Sequence, residues 1–328
     1  MTKNKKATLS RVAFFLFLAT ILMLNACDQN HIQYALVTNQ LVNNVSVIDT
    51  ETQQVIKTIN VGKSPAGIAL SPERHRAFIS NPDGQSVSII DLDNLAEIKQ
   101  VKVGPGPVGI TANKAGDKVY VADWYDNNIT VIDPQAGEIT DQISVGKSPA
   151  GLILDETNQR LYVANRDDNA VAFINLENNQ VVRSVNVGTA PFGLALSPDG
   201  KHLYSVNVRS SNVTVIDTET AKVLTTIPVG EWPYCAVVSP DGKKLYVTNQ
   251  DESTISIIDT ATNQVTNTVD VEDTPEGIDT TADGRFIYVA NWASSSISII
   301  DAETETLINT IATDKGSRAF GRFITKLE

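Results

Sequence analysis

A seven-bladed, all-β propeller built of four-stranded antiparallel blades is the fold the sequence predicts, and three observations predict it. A short segment recurs with a fixed step of 42 residues, and each repeat carries four strand-like stretches separated by turn residues. Val, Ile, Thr and Asn are abundant, while helix formers in amphipathic runs are scarce.

The recurring segment ends at Asn39, Asn81, Asp123, Asn165, Asn207, Asn249 and Asn291, seven positions without an insertion. Three further columns keep the step. A strand of Val-Ser-Val-Ile-Asp type ends at Asp49, Asp91, Asp133, Asn175, Asp217, Asp259 and Asp301. A proline stands at 65, 107, 149, 191, 233 and 275, with Ser317 in the last unit, and a glycine follows two residues later except at Cys235 and Ala319. Four columns in register over most of the chain mean duplication.

Each unit reads as four strands. An apolar strand such as Gly67-Ile68-Ala69-Leu70 follows the proline, and a reversal such as Ser197-Pro198-Asp199-Gly200 ends it. The Tyr-Val-Thr-Asn-like strand comes next, then a polar loop, then the alternating Val45-Ser46-Val47-Ile48-Asp49 strand. A turn leads to the fourth strand, Val55 to Val61. The Asn/Asp ring is expected to close turns in left-handed geometry, and the Asp column to form Asx-turns, rather than either being a metal ring. The chain enters inside a unit at a second strand, Ala35–Asn39, and residues 317–324 occupy first-strand columns with no successor. The C-terminal strand is therefore expected to complete the N-terminal blade and leave no open edge.

On these Tyr-Val-Thr-Asn-like segments the chain resembles the YVTN family of β-propeller repeats, over about residues 34–328. The resemblance implies a propeller in a bacterial or archaeal secreted, surface-layer or lipoprotein chain. It implies little about activity, because that family is defined by architecture.

The N-terminus reads as an address. Lys3, Lys5, Lys6 and Arg11 precede an apolar run of about 13 residues, Val12 to Leu24, which suits a signal peptide and is short for a bilayer span. It ends in Leu24-Asn25-Ala26-Cys27, which resembles the lipobox of bacterial lipoproteins, with Asn25 less usual there. Residues 1–26 are expected to be removed, Cys27 to carry lipid, 27–33 to be the tether and 34–328 the propeller. A plain secretory signal is the alternative, and it leaves export intact. The expected location is outside the cytoplasm, at the cell envelope.

Removing four basic residues takes the net charge from −12 to −16, which disfavours general nucleic-acid binding, since that affinity rests on Lys and Arg displacing counterions. With Cys27 lipidated only Cys235 remains, so no internal disulfide can form.

In so regular a repeat, specific function is sought where symmetry breaks. Trp124, Trp232 and Trp292 all fall in loops that project from one end of the propeller. Between the Pro and Gly columns, near the channel mouth at that end, stand Ala66, Val108, Ala150, Phe192, Tyr234, Glu276 and Arg318. Phe192, Trp232, Tyr234, Glu276, Trp292 and Arg318 are thus candidates for a pocket taking a small polar ligand, a glycan or a peptide. The competing expectation is that Glu276 and Arg318 pair across adjacent blades and the aromatics plug the channel.

The histidines, His31, His75 and His202, form no metal spacing, and no nucleophile elbow or phosphate loop is present. No catalytic residue, metal ligand or cofactor is expected, although calcium held by oxygen ligands alone is compatible with the composition. The first functional expectation is a lipid-anchored, non-catalytic binding or scaffold protein. The alternatives are a carboxylate-metal hydrolase resembling propeller lactonases, and a propeller subunit of a periplasmic redox system.

Overall fold

Period-2 apolar strands joined by Asx and αL turns can bury both faces only by stacking sheet on sheet, and the chain does so around a ring. The computed structural model describes residues 33–326. The expectations for the signal peptide, Cys27 and the tether up to residue 32 lie outside the described residues. Blade 1 consists, from the channel outward, of Ile324–Lys326, Gln33–Asn39, Asn44–Asp49 and Gln54–Asn60. Blades 2 to 7 span residues 67–102, 107–144, 149–186, 191–228, 233–270 and 275–312, each with four consecutive antiparallel strands. We letter the strands a to d from the channel outward. Three single 3-10 turns and the two-residue strand Phe320–Gly321 are the remaining regular elements among the described residues.

The a, b and c strands are buried on both faces between neighbouring blades, whereas each d strand buries one residue near its end, such as Ile59 or Val101. This gives the Val/Ser alternation of the c strands a different meaning from an in-and-out pattern, because Ser46, Ser88 and Thr130 are buried too. One face packs on aliphatic side chains; the other meets the asparagine that ends strand b. Asn81 donates through Nδ2 to Ser86 Oγ and Ser88 Oγ, Asn249 to Thr254 Oγ1 and Ser256 Oγ, and Asn291 to Ser296 Oγ and Ser298 Oγ. The Asn ring therefore does not adopt the left-handed geometry expected of it: Asn165 and Asn207 have φ of −90° and −107°. Where strand c offers a hydroxyl, as for Asn81, Asn207, Asn249 and Asn291, the asparagine ties the b–c hairpin through buried side-chain bonds. The left-handed residue comes four positions later, at Asn43, Gln85, Asn127, Asn169, Ser211, Ser253 and Ser295, with φ between 47° and 60°. The Asp column does form Asx-turns, with Asp49 Oδ1 accepting from the N–H groups of Glu51 and Thr52.

The glycine column has a steric cause. A Cβ on Gly67, Gly109, Gly151 or Gly193 would lie 2.0 to 2.5 Å from a backbone oxygen of the next blade's a strand, and one on Gly277 would lie 2.1 Å from the Ala319 oxygen of the closing segment. Only glycine lets the inner strands converge so closely.

Closure occurs at the predicted place with a refinement. Ser317 bridges Asn39, Phe320–Gly321 then pairs in parallel with Gly67–Ile68 of blade 2, and Ile324–Lys326 returns to pair with Gln33–Ala35. Blade 2 is thereby a five-stranded sheet. The closing strand is split because Asp279 takes hold of its middle: Oδ2 accepts from the N–H groups of Phe323 and Ile324 at 2.8 and 2.9 Å, and Oδ1 pairs with Arg322 Nε at 2.9 Å.

Asp123 is the one acid in the asparagine ring. It can only accept: Thr130 Oγ1 donates to its Oδ2, while its buried Oδ1 and that of Asn128 have no partner. Burial, reinforced by Asp126, pushes its carboxyl up from 3.8 to about 6. A raised acid pKa in the folded state means that stability falls as pH rises from about 3.8 through about 6. Asp123→Asn restores the donor used elsewhere in the ring. It is expected to stabilise the fold at pH 7 by about 1–3 kcal/mol, with the gain shrinking towards pH 4, in denaturant titrations at both pH values.

Candidate functional site

The candidate residues sit where the a strands begin, at the end of the ring carrying the a-strand entry loops and the b–c loops. Phe192 and Tyr234, on neighbouring a strands, stack with ring centroids 4.1 Å apart. Phe320 of the closing segment joins them edge-on to Phe192 at 5.2 Å and tilted to Tyr234 at 5.4 Å. Trp124 approaches Phe192 at 6.4 Å from the other side, with the Arg166 guanidinium 5.7 Å above its own ring. Four aromatic rings thus fill this end of the channel.

Beside them Glu276 is 3% exposed and accepts from Gln250 Nε2 at 3.0 Å and Arg318 Nη2 at 3.1 Å. Arg318 Nε lies 2.7 Å from its second oxygen, and the guanidinium stands 5.1 Å from the Phe320 ring. Burial raises the Glu276 carboxyl, while Arg318 and then Gln250 oppose it. Burial likewise raises the Tyr234 phenol and the Cys235 thiol, with the Glu276 charge adding to both. Neither group is prepared to ionise and act as a nucleophile near neutral pH.

The structure therefore brings together Phe192, Tyr234, Glu276 and Arg318, and keeps Trp232 and Trp292 outside this cluster of rings. Trp232 adopts φ 51° and is 44% exposed, beside the a strand of blade 6. Trp292, after strand b of blade 7, donates from Nε1 to Gln40 Oε1 of blade 1 at 3.0 Å. Tyr125, adjoining Trp124, is 73% exposed at the same end.

Phe320 and Asp279 are the residues the sequence reading missed. Phe320 lies two residues beyond Arg318 and so outside the column between Pro and Gly. Asp279 stood in plain view, since the equivalent a-strand residues are Ala69, Thr111, Ile153, Ala195 and Val237. Among the described residues no three His, Cys, Asp or Glu side chains gather as metal ligands.

A family model of the YNCE-like beta-propeller matches residues 68–160, 156–252 and 198–283, which is more than half the chain. The chain belongs to the YNCE-like β-propeller family. Its YVTN-type repeat is shown by the same match. A search of curated proteins finds no match to this YNCE-like propeller. Among solved structures, it is similar to hydrazine synthase of Kuenenia stuttgartiensis, at TM-score 0.73 and 24% identity over 81% of this chain and 91% of that one. A functionally unknown protein from Desulfotomaculum acetoxidans has TM-score 0.78 and 13% identity, over 90% and 99% of the two chains. The dihydro-heme d1 dehydrogenase NirN, solved in complex with DHE, has TM-score 0.67 and 16% identity over 87% of this chain. The YNCE-like propeller spans 64% of that longer chain. At these identities the likeness is one of fold.

The buried Glu276–Arg318 pair yields a direct test of its role. Glu276→Leu strands the Arg318 charge and is expected to cost about 3–5 kcal/mol, whereas Glu276→Leu with Arg318→Met recovers most of that loss. Urea titration of the single and double variants measures both.

Proposed function

We propose that this YNCE-like propeller is exported, tethered to a membrane through lipid on Cys27, and serves as a non-catalytic binding or scaffold protein at the cell envelope. The observation that supports it most is the unequal use of the two ends of the ring. One end carries exposed Trp232 and Tyr125 above a packed aromatic floor; the other carries Asx and Pro-Asp-Gly turns such as those at Asp49 and Asp199. Exposed aromatics on a rigid floor suit recognition of a peptide, a glycan or a small polar ligand.

The position of Gln33 supports an orientation for the proposed tether. Strand b of blade 1 starts at Gln33, at the end opposite the tryptophans, because b strands run antiparallel to a strands. Residues 27–32 extend at most ~20 Å, so a lipid on Cys27 would hold the turn-bearing end towards the membrane and turn the tryptophans outward.

A second reading is a propeller component of a redox assembly. It draws on the titles of two of the similar structures, a hydrazine synthase and a dehydrogenase, whose likeness carries the fold alone. Copurification of a haem-absorbing partner from native membranes would favour it over the scaffold reading.

Two experiments test the first reading. Cys27→Ser is expected to abolish metabolic labelling with an alkynyl fatty acid and release the chain from membranes; labelling that persists contradicts the anchor. Trp232→Ala is expected to weaken at least tenfold any oligosaccharide hit that emerges from a fluorescence screen, with the melting temperature unchanged. Equal affinity in that variant contradicts the proposed face.

A further inference from the structure

The central channel has open strand edges that the rest of the ring does not use. In blades 3 to 6 strand a pairs with strand b alone, and beyond its first residues, where Ser80 Oγ donates to Val108 O, its channel-side N–H and C=O groups face no neighbouring strand; in blade 7 the Gly277 N–H already donates to Arg318 O. Blade 2 is different: there the chain's own Phe320–Gly321 occupies that edge, running parallel to Gly67–Ile68. The molecule thus already carries one short segment bound in the channel by strand addition.

Beside that segment the channel holds a cavity of about 330 Å³. Its walls are the a strands, and the side chains on them are almost wholly aliphatic, among them Ile110, Leu152, Leu194 and Ile278. Phe192 and Phe320 line one end, where the aromatic cluster closes it. Leu154 and Leu196 are partly exposed near the other end. Arg322 is the only charged residue in the lining and is 60% exposed in its side chain. Its Nε is engaged by Asp279, while its terminal amino groups have no protein partner among the described residues.

We propose that the channel binds a short apolar peptide in extended form, adding it as a parallel strand to an open a-strand edge with its C-terminal carboxylate on Arg322. Backbone edges require a ligand with amide donors and acceptors, and aliphatic walls require apolar side chains; an extended peptide supplies both. Polarity follows from the segment already present. A strand parallel to the a strands points its C-terminus away from the aromatic plug, the direction in which Phe320–Gly321 leads to Arg322. The volume limits the occupant to a few residues.

The test is isothermal titration of the full chain with the tripeptide Val-Leu-Ala. Saturable binding is expected, and the C-terminal amide of the same peptide should bind about tenfold to hundredfold more weakly, through loss of one charge-assisted contact. Thr111→Trp adds bulk at a partly exposed lining position and should abolish binding with the melting temperature retained; Leu196→Trp is the second filling variant should the first fail to fold. Trp232→Ala should leave tripeptide binding unchanged, so failure of the outer face and failure of the channel are read separately. No binding of Val-Leu-Ala at millimolar concentration overturns the proposal. So does equal binding of acid and amide, undiminished binding in a folded filling variant, or decanoate binding as tightly as the peptide.

Discussion

The ring stands on one buried carboxylate. Asp279 belongs to strand a of blade 7, yet three backbone N–H groups and the Arg322 guanidinium converge on it, and two of those N–H groups belong to the closing segment. Burial raises its pKa while these four donors oppose the shift. Hydrogen bonds to a charged, buried acceptor are among the stronger single interactions in a fold. Here they are spent where the chain's two ends meet and where a propeller would otherwise expose an edge. The same blade also reaches the closing segment through Glu276 and Arg318, so two ion pairs flank Phe320 and place it in the channel.

Elsewhere the blades hold each other by repetition. Backbone oxygens in van der Waals reach of the glycine column set how near the a strands come. The asparagines that end strand b at 81, 207, 249 and 291 then direct their Nδ2 donors to small hydroxyl side chains of strand c, so that these buried donors are satisfied inside their own blades. Where a column departs from the consensus, something other than the ring's architecture is served or lost. Asp123 leaves an acceptor stranded; Asp279 gains a clasp; Cys235 and Ala319 stand in for glycine beside the aromatic plug.

The architecture was legible because a period is a global signal: a fixed step with recurring Pro, Gly, Asn and Asp determines blade number, strand order and closure without knowledge of any contact. Contacts between blades carry no such signature. The sequence brings Phe192, Tyr234, Glu276 and Arg318 to one column, and the structure shows them as neighbours. It does not reveal that Phe320 would complete the stack, because the closing strand leaves the repeat's register there. Trp232 and Trp292 share an end of the ring but not a cluster, since loop residues at one end can still lie over different blades. The meaning of the Ser positions in the c strands was likewise hidden, because alternation reads the same for a strand half in water and for one between two unlike buried faces.

Thermal unfolding of a chain ending at Gly316 tests the dependence of the ring on its closing segment most directly. The truncation removes Phe320, Phe323 and Ile324 from the core and the donors from Asp279. A single cooperative transition at a markedly lower temperature is expected for the whole propeller. A melting temperature equal to that of the intact chain would contradict it.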